Sequence, residues 1–96
     1  MTTKILLKIV NRADTGDQPP VPLYVRSADF EGDEGRGTIV LTTVPGDAMQ
    51  FENAIDAMEF WRTESKTVPV RPDGRPNRPL TAYTVELTTY RKYDNL

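Results

Sequence analysis

A chain of 96 residues suits one domain, and its net charge of −2 gives no overall field that would attract nucleic acid. It contains neither cysteine nor histidine, which excludes disulfides, thiolate nucleophiles, Cys/His zinc sites and a histidine general base. No apolar run approaches the roughly 20 residues of a membrane span, and the N-terminus lacks the apolar segment of a signal peptide. We therefore expect a single cytoplasmic domain over residues 1–96, without membrane association and with residues 91–96 frayed.

The first half of the chain predicts three strands. Apolar and β-branched runs bounded by turn residues place them at residues 4–10, 23–27 and 37–43. In the first strand, Ile5, Leu7 and Ile9 share one face, because successive side chains of a strand point to opposite sides. The stretch between the second and third strands, residues 28–36, holds four carboxylates against one arginine, and we call it the acidic loop. Its glycines predict a long hairpin connection.

One helix follows the third strand. Asn53 is a good N-cap, and Asp56 lies where the positive end of the helix dipole favours a carboxylate. The helix should end near Ser65, because Val68-Pro69 cannot continue it. At 100° per residue, the apolar face for packing on a sheet is formed by Ala54, Ile55, Ala57, Met58 and Trp61.

Residues 66–80 hold four prolines and one glycine, and we call them the proline-rich loop. Within it, Arg71-Pro-Asp-Gly74 predicts a tight turn. The alternating residues 81–90 predict a last strand. The order β-β-β-α-β indicates an α+β fold, a four-stranded and mostly antiparallel sheet with one helix packed on one face. A single helix cannot cover both faces, so the reverse face is left for water or a partner.

The sequence offers little to a metal ion or a catalyst. Carboxylates alternate in the acidic loop as at the start of a calcium loop, but Glu34 and Val40 stand where the EF-hand pattern needs glycine and glutamate. Asp56 and Glu59 approach each other on the exposed helix face, where nothing would raise the pKa of a general acid. We expect no enzymatic activity, no cofactor and no metal site.

The proline-rich loop carries three arginines on a backbone that prolines stiffen, which reduces the entropy lost when they bind. Arginine forks suit carboxylates or phosphates. The alternative is internal pairing of these arginines with the acidic loop or the helix acids. Phe30 lies in a polar loop without an assigned burial, and acidic neighbours flank it. The candidates for partner contact are therefore Arg71, Arg75, Arg78, Phe30, Asp29, Glu31 and Asp33.

Three stretches of the chain resemble small uncharacterised proteins of bacteria, their phages and prophages. They are residues 27–42, which include Ser-Ala-Asp-Phe-Glu-Gly and Gly-Thr-Ile-Val-Leu-Thr, residues 48–61, and residues 71–86. The likeness covers about residues 23–88 and brings no activity or functional residue with it. A phage origin would imply a small acidic protein that acts on a host factor, inhibitors of CRISPR effector complexes included.

These observations lead to one prediction and two alternatives. We predict a non-enzymatic protein-interaction module with a protein partner, which binds through the open sheet face or through the two loops. The first alternative is a nucleic-acid-binding accessory protein that uses Arg71, Arg75 and Arg78. The second, an enzyme with carboxylate chemistry, would need a buried and perturbed carboxylate, and the sequence marks none. A monomer and a homodimer both remain open, because an exposed edge strand can pair across a two-fold axis.

Overall fold

The computed structural model of the chain describes residues 2–92 and contains one four-stranded antiparallel sheet and one α-helix. The elements are β1 (Thr2–Arg12), β2 (Tyr24–Asp29), β3 (Thr38–Thr42), α1 (Ala54–Trp61) and β4 (Tyr83–Lys92). The strands lie in the order β3-β2-β1-β4, and every neighbouring pair is antiparallel. The α+β class and the antiparallel sheet are thus confirmed.

The predicted order of elements is incomplete, because two 3-10 helices also lie along the chain. They span Pro45–Asp47 and Pro79–Ala82, and each begins with a proline, whose fixed φ suits the first position of a helical turn. The second occupies the start of the segment predicted as the last strand, so β4 begins at Tyr83. β4 extends to Lys92 and takes in the first residues of the predicted frayed tail; residues 93–96 lie outside the described part of the chain.

The sheet is continuous between β1 and β4 but divided between β1 and β2. β1 meets β2 in register only at Lys8, and the two strands then separate. Residues 49–51 lie between them: the Met49 N–H donates to the Val25 carbonyl at 3.0 Å, while Ile5 and Phe51 exchange backbone hydrogen bonds of 2.8 and 2.9 Å. The chain leaving β3 therefore passes through the sheet before α1 begins, and this fixes where the helix starts.

The hydrophobic core lies between α1 and the face of the sheet that carries the alternate apolar residues of β1. Its buried members are Leu7, Ile9, Val25, Ala57 and Leu80. The predicted face of β1 is confirmed, but the predicted face of α1 is rotated from the one observed. Ala54 and Ile55 are exposed, Ile55 at 69%, whereas Phe60 packs against the core.

Aromatic contacts account for the rotation of α1. The ring of Phe60 meets Phe30 and Phe51 at centroid distances of 5.2 and 5.3 Å, in edge and tilted geometries. The Trp61 indole N–H donates to the Tyr83 carbonyl at 3.2 Å. These rings bury more apolar area than Ala54 and Ile55 would, so they determine which side of the helix faces the sheet.

The predicted start of α1 is confirmed and its predicted end is wrong. The Asn53 side chain accepts a hydrogen bond from the Asp56 N–H at 2.9 Å, as an N-cap does. The helix ends at Trp61 instead of near Ser65, and the side chain of Ser65 is buried in polar contacts away from the helix. No helix within residues 2–92 is long and apolar enough to cross a membrane.

The reverse face of the sheet is less bare than the sequence predicts. Leu6, on the opposite side of β1 from the core, is fully buried, and Ala48 is 6% exposed. A methyl group placed on Gly46 would lie 3.2 Å from the Tyr90 hydroxyl, so the chain around Gly46 packs closely on this face. The segment that follows β3 therefore covers part of the face expected to be open.

Candidate functional site

The acidic loop and the proline-rich loop pack directly against each other. Gly35 and Gly37 have φ angles of +85° and +91°, which favour glycine, and both face the proline-rich loop. A Cβ atom on Gly35 would lie 2.6 Å from the Cβ of Val68, and one on Gly37 would collide with Pro79. The close approach of the two loops thus depends on two positions that have no side chain.

The acidic loop forms the long hairpin connection that its glycines predict, between the antiparallel strands β2 and β3. The Asp29 carboxylate accepts the Glu31 N–H at 3.1 Å, and this hydrogen bond forms a local turn at the beginning of the loop. Asp33 and Glu34 follow with φ angles of +51° and +57°, and both are exposed. The backbone therefore aims Asp29 and Asp33 at solvent and turns Glu31 towards the proline-rich loop.

The carboxylate of Glu31 joins the two loops through four hydrogen bonds. One oxygen accepts the Lys66 N–H at 2.7 Å. The other accepts the Ser65 hydroxyl at 2.6 Å and both the N–H and the hydroxyl of Thr67, at 2.9 and 2.7 Å. These donors favour the charged form, and they lower the pKa of Glu31 to about 2, the Lys66 N–H most and the Ser65 hydroxyl next. Glu31 thus has an intramolecular role.

Asn77 makes the second connection between the loops. Its side-chain amide donates to the carbonyl of Gly35 at 2.5 Å and to that of Val68 at 2.8 Å. Its backbone pairs with Pro69 and Ser65, each at 2.9 Å, and the residue is 8% exposed. A buried amide with these partners holds both loops in one arrangement, because leaving any of the groups unpaired is costly.

The predicted turn at Arg71 is confirmed. The Gly74 N–H donates to the Arg71 carbonyl at 2.9 Å, and the Arg71 N–H in turn donates to Arg75 at 2.8 Å. The Asp73 carboxylate accepts the Arg75 N–H at 3.0 Å, so both central and flanking residues of the turn are fixed. The proline-rich loop therefore contains a small hairpin whose tip is Pro72-Asp73-Gly74, and Arg75 is exposed on the side that returns from the tip.

The three arginines of the proline-rich loop differ in their partners. Arg78 donates to Glu64, just beyond α1, at 3.4 Å, and Arg75 lies 4.0 Å from Asp73 within its own turn. Arg71 forms no ion pair with any residue of the described range 2–92. Internal pairing thus accounts for two of the arginines, although neither pairs with the acidic loop, and it leaves Arg71 for another role.

A cleft of about 400 Å³ lies where the two loops meet. Its apolar wall is formed by Val68, Pro72, Pro79 and Ala82, and its charged wall by Glu34, Arg36 and Arg71. Arg36, like Arg71, forms no ion pair within residues 2–92. The cleft therefore combines an apolar surface with two arginines that form no ion pair with a carboxylate of residues 2–92.

The structure distributes the predicted contact residues among different surroundings. Phe30 is half-buried against Phe60, so its ring belongs to the edge of the core. Arg71 lines the cleft, Arg75 and Asp33 are exposed away from its lining, and Arg78 is paired. Sequence reasoning missed Arg36, although the glycines on either side of it signalled a backbone that comes close to another segment.

Within residues 2–92, no three or more carboxylates lie close enough together to hold a metal ion. Comparison with protein-family models, with curated proteins and with solved structures finds no match to this chain. The resemblance to phage and prophage proteins thus stays a prediction, and the chemistry of the cleft is the basis for assigning a function.

Proposed function

We propose that this protein is a non-enzymatic protein-interaction module whose partner docks in the cleft between the acidic loop and the proline-rich loop. The observation that carries the proposal is the pair of arginines, Arg36 and Arg71, which stand beside an apolar wall without an ion pair in residues 2–92. A concave, mainly apolar surface with a few polar groups is the usual form of a binding site.

The rigidity of the cleft supports a binding role. The hydrogen bonds of Glu31 and Asn77 fix both loops, and the prolines restrict the backbone that carries Arg71. Less conformational entropy is then lost when a partner binds, because the contact surface is already ordered.

The chemistry of the cleft indicates what the partner presents. A guanidinium group binds a carboxylate through two parallel hydrogen bonds, and Arg36 and Arg71 supply two such groups. The wall of Val68, Pro72 and Pro79 suits an aliphatic or aromatic side chain. We therefore expect a protein segment in which an acidic residue lies beside an apolar one.

The nucleic-acid alternative finds less support in the same surroundings. Arg75 and Arg78 already have carboxylates nearby, and Glu34 lies in the wall of the cleft. A nucleic-acid backbone would meet these carboxylates together with the arginines, which weakens attraction for phosphate. An inhibitor of a host effector, of the kind that the resemblance implies, would be one instance of the proposed module.

The test is a comparison of two charge-reversal variants. Arg36→Glu/Arg71→Glu alters the cleft, and Arg26→Glu/Arg62→Glu makes the same charge change at exposed positions outside its lining. Partners captured from the source cells by the unaltered protein are identified, and their affinities for both variants are measured after circular dichroism has shown that each variant folds.

We expect the cleft variant to lose at least about tenfold in affinity, because reversed charges then face the acidic segment of the partner, and the control variant to bind normally. Retention of every partner by a folded cleft variant would overturn the proposal. Binding of DNA or RNA that falls steeply with salt, and that the cleft variant loses, would favour the nucleic-acid alternative instead.

A further inference from the structure

The two edges of the sheet differ in how well they are protected from other strands. β3 has five residues, an irregularity in its pairing with β2, and Pro45 shortly after its end, all of which discourage further pairing. β4 has ten residues without proline or glycine, and it is rich in threonine, tyrosine and valine, which favour strands. β4 is the edge on which another strand can be added.

The hydrogen bonds of β1 determine which backbone groups of β4 are free. Ile9 and Ile5 donate away from β4, to Leu23 and Phe51, so the alternate residues of β1 bond to β4. In register, these pairs are Lys4 with Tyr90, Leu6 with Thr88, and Lys8 with Glu86. The N–H and C=O groups that point outward from the sheet are therefore those of Val85, Leu87, Thr89 and Arg91.

Within residues 2–92 nothing bonds to the backbone of this outward row. The row begins just after Tyr83, whose carbonyl accepts the Trp61 indole at 3.2 Å and is thereby closed to another strand. The rest of the edge presents donors and acceptors at the spacing of a strand, which is the arrangement that a second strand recognises.

We propose that two copies of this chain pair through β4, antiparallel about a two-fold axis at Thr88, to form one continuous sheet. In this register Leu87 faces Thr89 of the second copy, and Val85 faces its Arg91. Every outward residue then faces an outward residue, and the two residues of each pair exchange both of their hydrogen bonds. A register centred on Leu87 would leave one outward residue of each row without such a partner.

The side chains of β4 are compatible with this pairing. Among residues 85–91 only Glu86 and Arg91 are charged, and in the proposed register they face Tyr90 and Val85 of the second copy, so no like charges oppose each other. Leu87 is 36% exposed on the core face, and it would lie diagonally across from Leu87 of the second copy. The surface is self-complementary, which is the requirement for a two-fold interface.

The proposal is independent of the cleft and is tested on the unaltered protein first. Sedimentation equilibrium measures the mass as a function of concentration, and amide hydrogen exchange is followed residue by residue at low and high concentration. We expect a dimer in which the amides of Val85, Leu87, Thr89 and Arg91 gain protection as concentration rises. The amides of Glu86, Thr88 and Tyr90 should be protected at every concentration, because they bond to β1.

A variant pair provides the second measurement. Thr89→Pro removes one outward N–H at an edge position, where proline is tolerated, and Thr89→Val keeps that N–H in an equally branched residue. We expect a folded monomer from the first and a dimer from the second. A protein that stays monomeric up to millimolar concentration, or a dimer whose outward amides exchange freely, would overturn the proposal, and both observations need only the unaltered chain.

Discussion

The helix–sheet core and the junction of the two loops hold distant parts of the chain together by different forces. In the core, buried aliphatic side chains pack with partly buried aromatic ones, and the Trp61 indole N–H donates to the Tyr83 carbonyl. At the junction, Glu31 and Asn77 supply directional hydrogen bonds, and Val68 and Pro79 pack closely against Gly35 and Gly37. Apolar burial is non-directional, whereas hydrogen bonds fix positions. Hydrogen bonds thus specify the geometry of the junction more closely than apolar packing specifies that of the core.

Because of this difference, the stability of the two regions should also depend differently on pH. The core contains no titrating group among its buried members, so its contribution to stability changes little with pH. The junction depends on one charged carboxylate, that of Glu31, and acid removes that charge. Variants of the core therefore test the stability of the whole fold, whereas variants of the junction test the contacts that hold the two loops of the cleft together.

The largest effect is expected from Leu80→Ala, at the place where the proline-rich loop enters the core. Leu80 is fully buried, and the substitution should cost about 2–5 kcal/mol of unfolding free energy because it leaves a cavity. Urea denaturation measures the loss. Val70→Ala is the matched control in the same loop: its side chain is 54% exposed, and a change within about 0.5 kcal/mol is expected. Equal effects at the two positions would contradict the burial of Leu80.

Gly35→Ala should have the next largest effect, roughly 1–3 kcal/mol, because the new side chain meets a backbone angle that disfavours it and also overlaps Val68. Gly74→Ala separates the two causes, since Gly74 has a φ of +86° and no atom within 4 Å of an added Cβ. We expect the Gly35 variant to lose more stability in thermal denaturation, and its cleft to bind the partner more weakly. Identical losses would mean that the loops can separate without cost.

Glu31→Gln should have a smaller effect at neutral pH. Glutamine keeps one acceptor oxygen for Ser65 and Thr67, and it loses the charge and the bond from the Lys66 N–H. The effect should vanish in acid. The folded pKa of Glu31 is about 2, below the ordinary value of 4.5. The charge therefore stabilises the fold fully above pH 4.5, and this contribution is lost as the pH falls from 4.5 towards 2.

Denaturation midpoints across this pH range provide the measurement for Glu31. The difference between the unaltered protein and Glu31→Gln should narrow steadily as the pH is lowered through that interval. Glu59→Gln is the control, because the Glu59 side chain makes no hydrogen bond or ion pair within the described range and should give a small difference that changes little with pH. A Glu31 difference that stayed constant into strong acid would show that the charge is not what joins the loops.

The strands could be predicted from the sequence because their signals are local. The alternation of Ile5, Leu7 and Ile9 and the turn at Gly74 each depend on neighbouring residues, and both are found where they were expected. The passage of residues 49–51 through the sheet had no such signal, since it arises from long-range pairing with Ile5 and Val25. Tertiary contacts of this kind leave no local pattern to detect.

The site was predicted only in outline for the same reason. Both loops attracted attention by composition, but the bonds between Glu31 and residues 65–67 join positions more than thirty apart in the chain. Nothing in the acidic loop distinguishes Glu31 from its exposed neighbours Asp29 and Asp33. Which carboxylate turns inward is decided by the backbone angles of the folded hairpin, and those angles depend on the loop that packs against it.

Ile55→Ala should give the smallest effect, and it tests the rotation of α1 directly. The helical pattern in the sequence places Ile55 in the buried stripe, where loss of its side chain would cost about 2–5 kcal/mol. In the structure the Ile55 side chain is 69% exposed, so we expect the free energy of unfolding to change by no more than about 0.5 kcal/mol. The higher helix propensity of alanine should offset part of any loss. Phe60→Ala should cost clearly more, because its ring contacts Phe30 and Phe51. If urea denaturation ranked the two variants in the reverse order, α1 would have to turn its Ile55 side towards the sheet, and the aromatic cluster beside the acidic loop would not form.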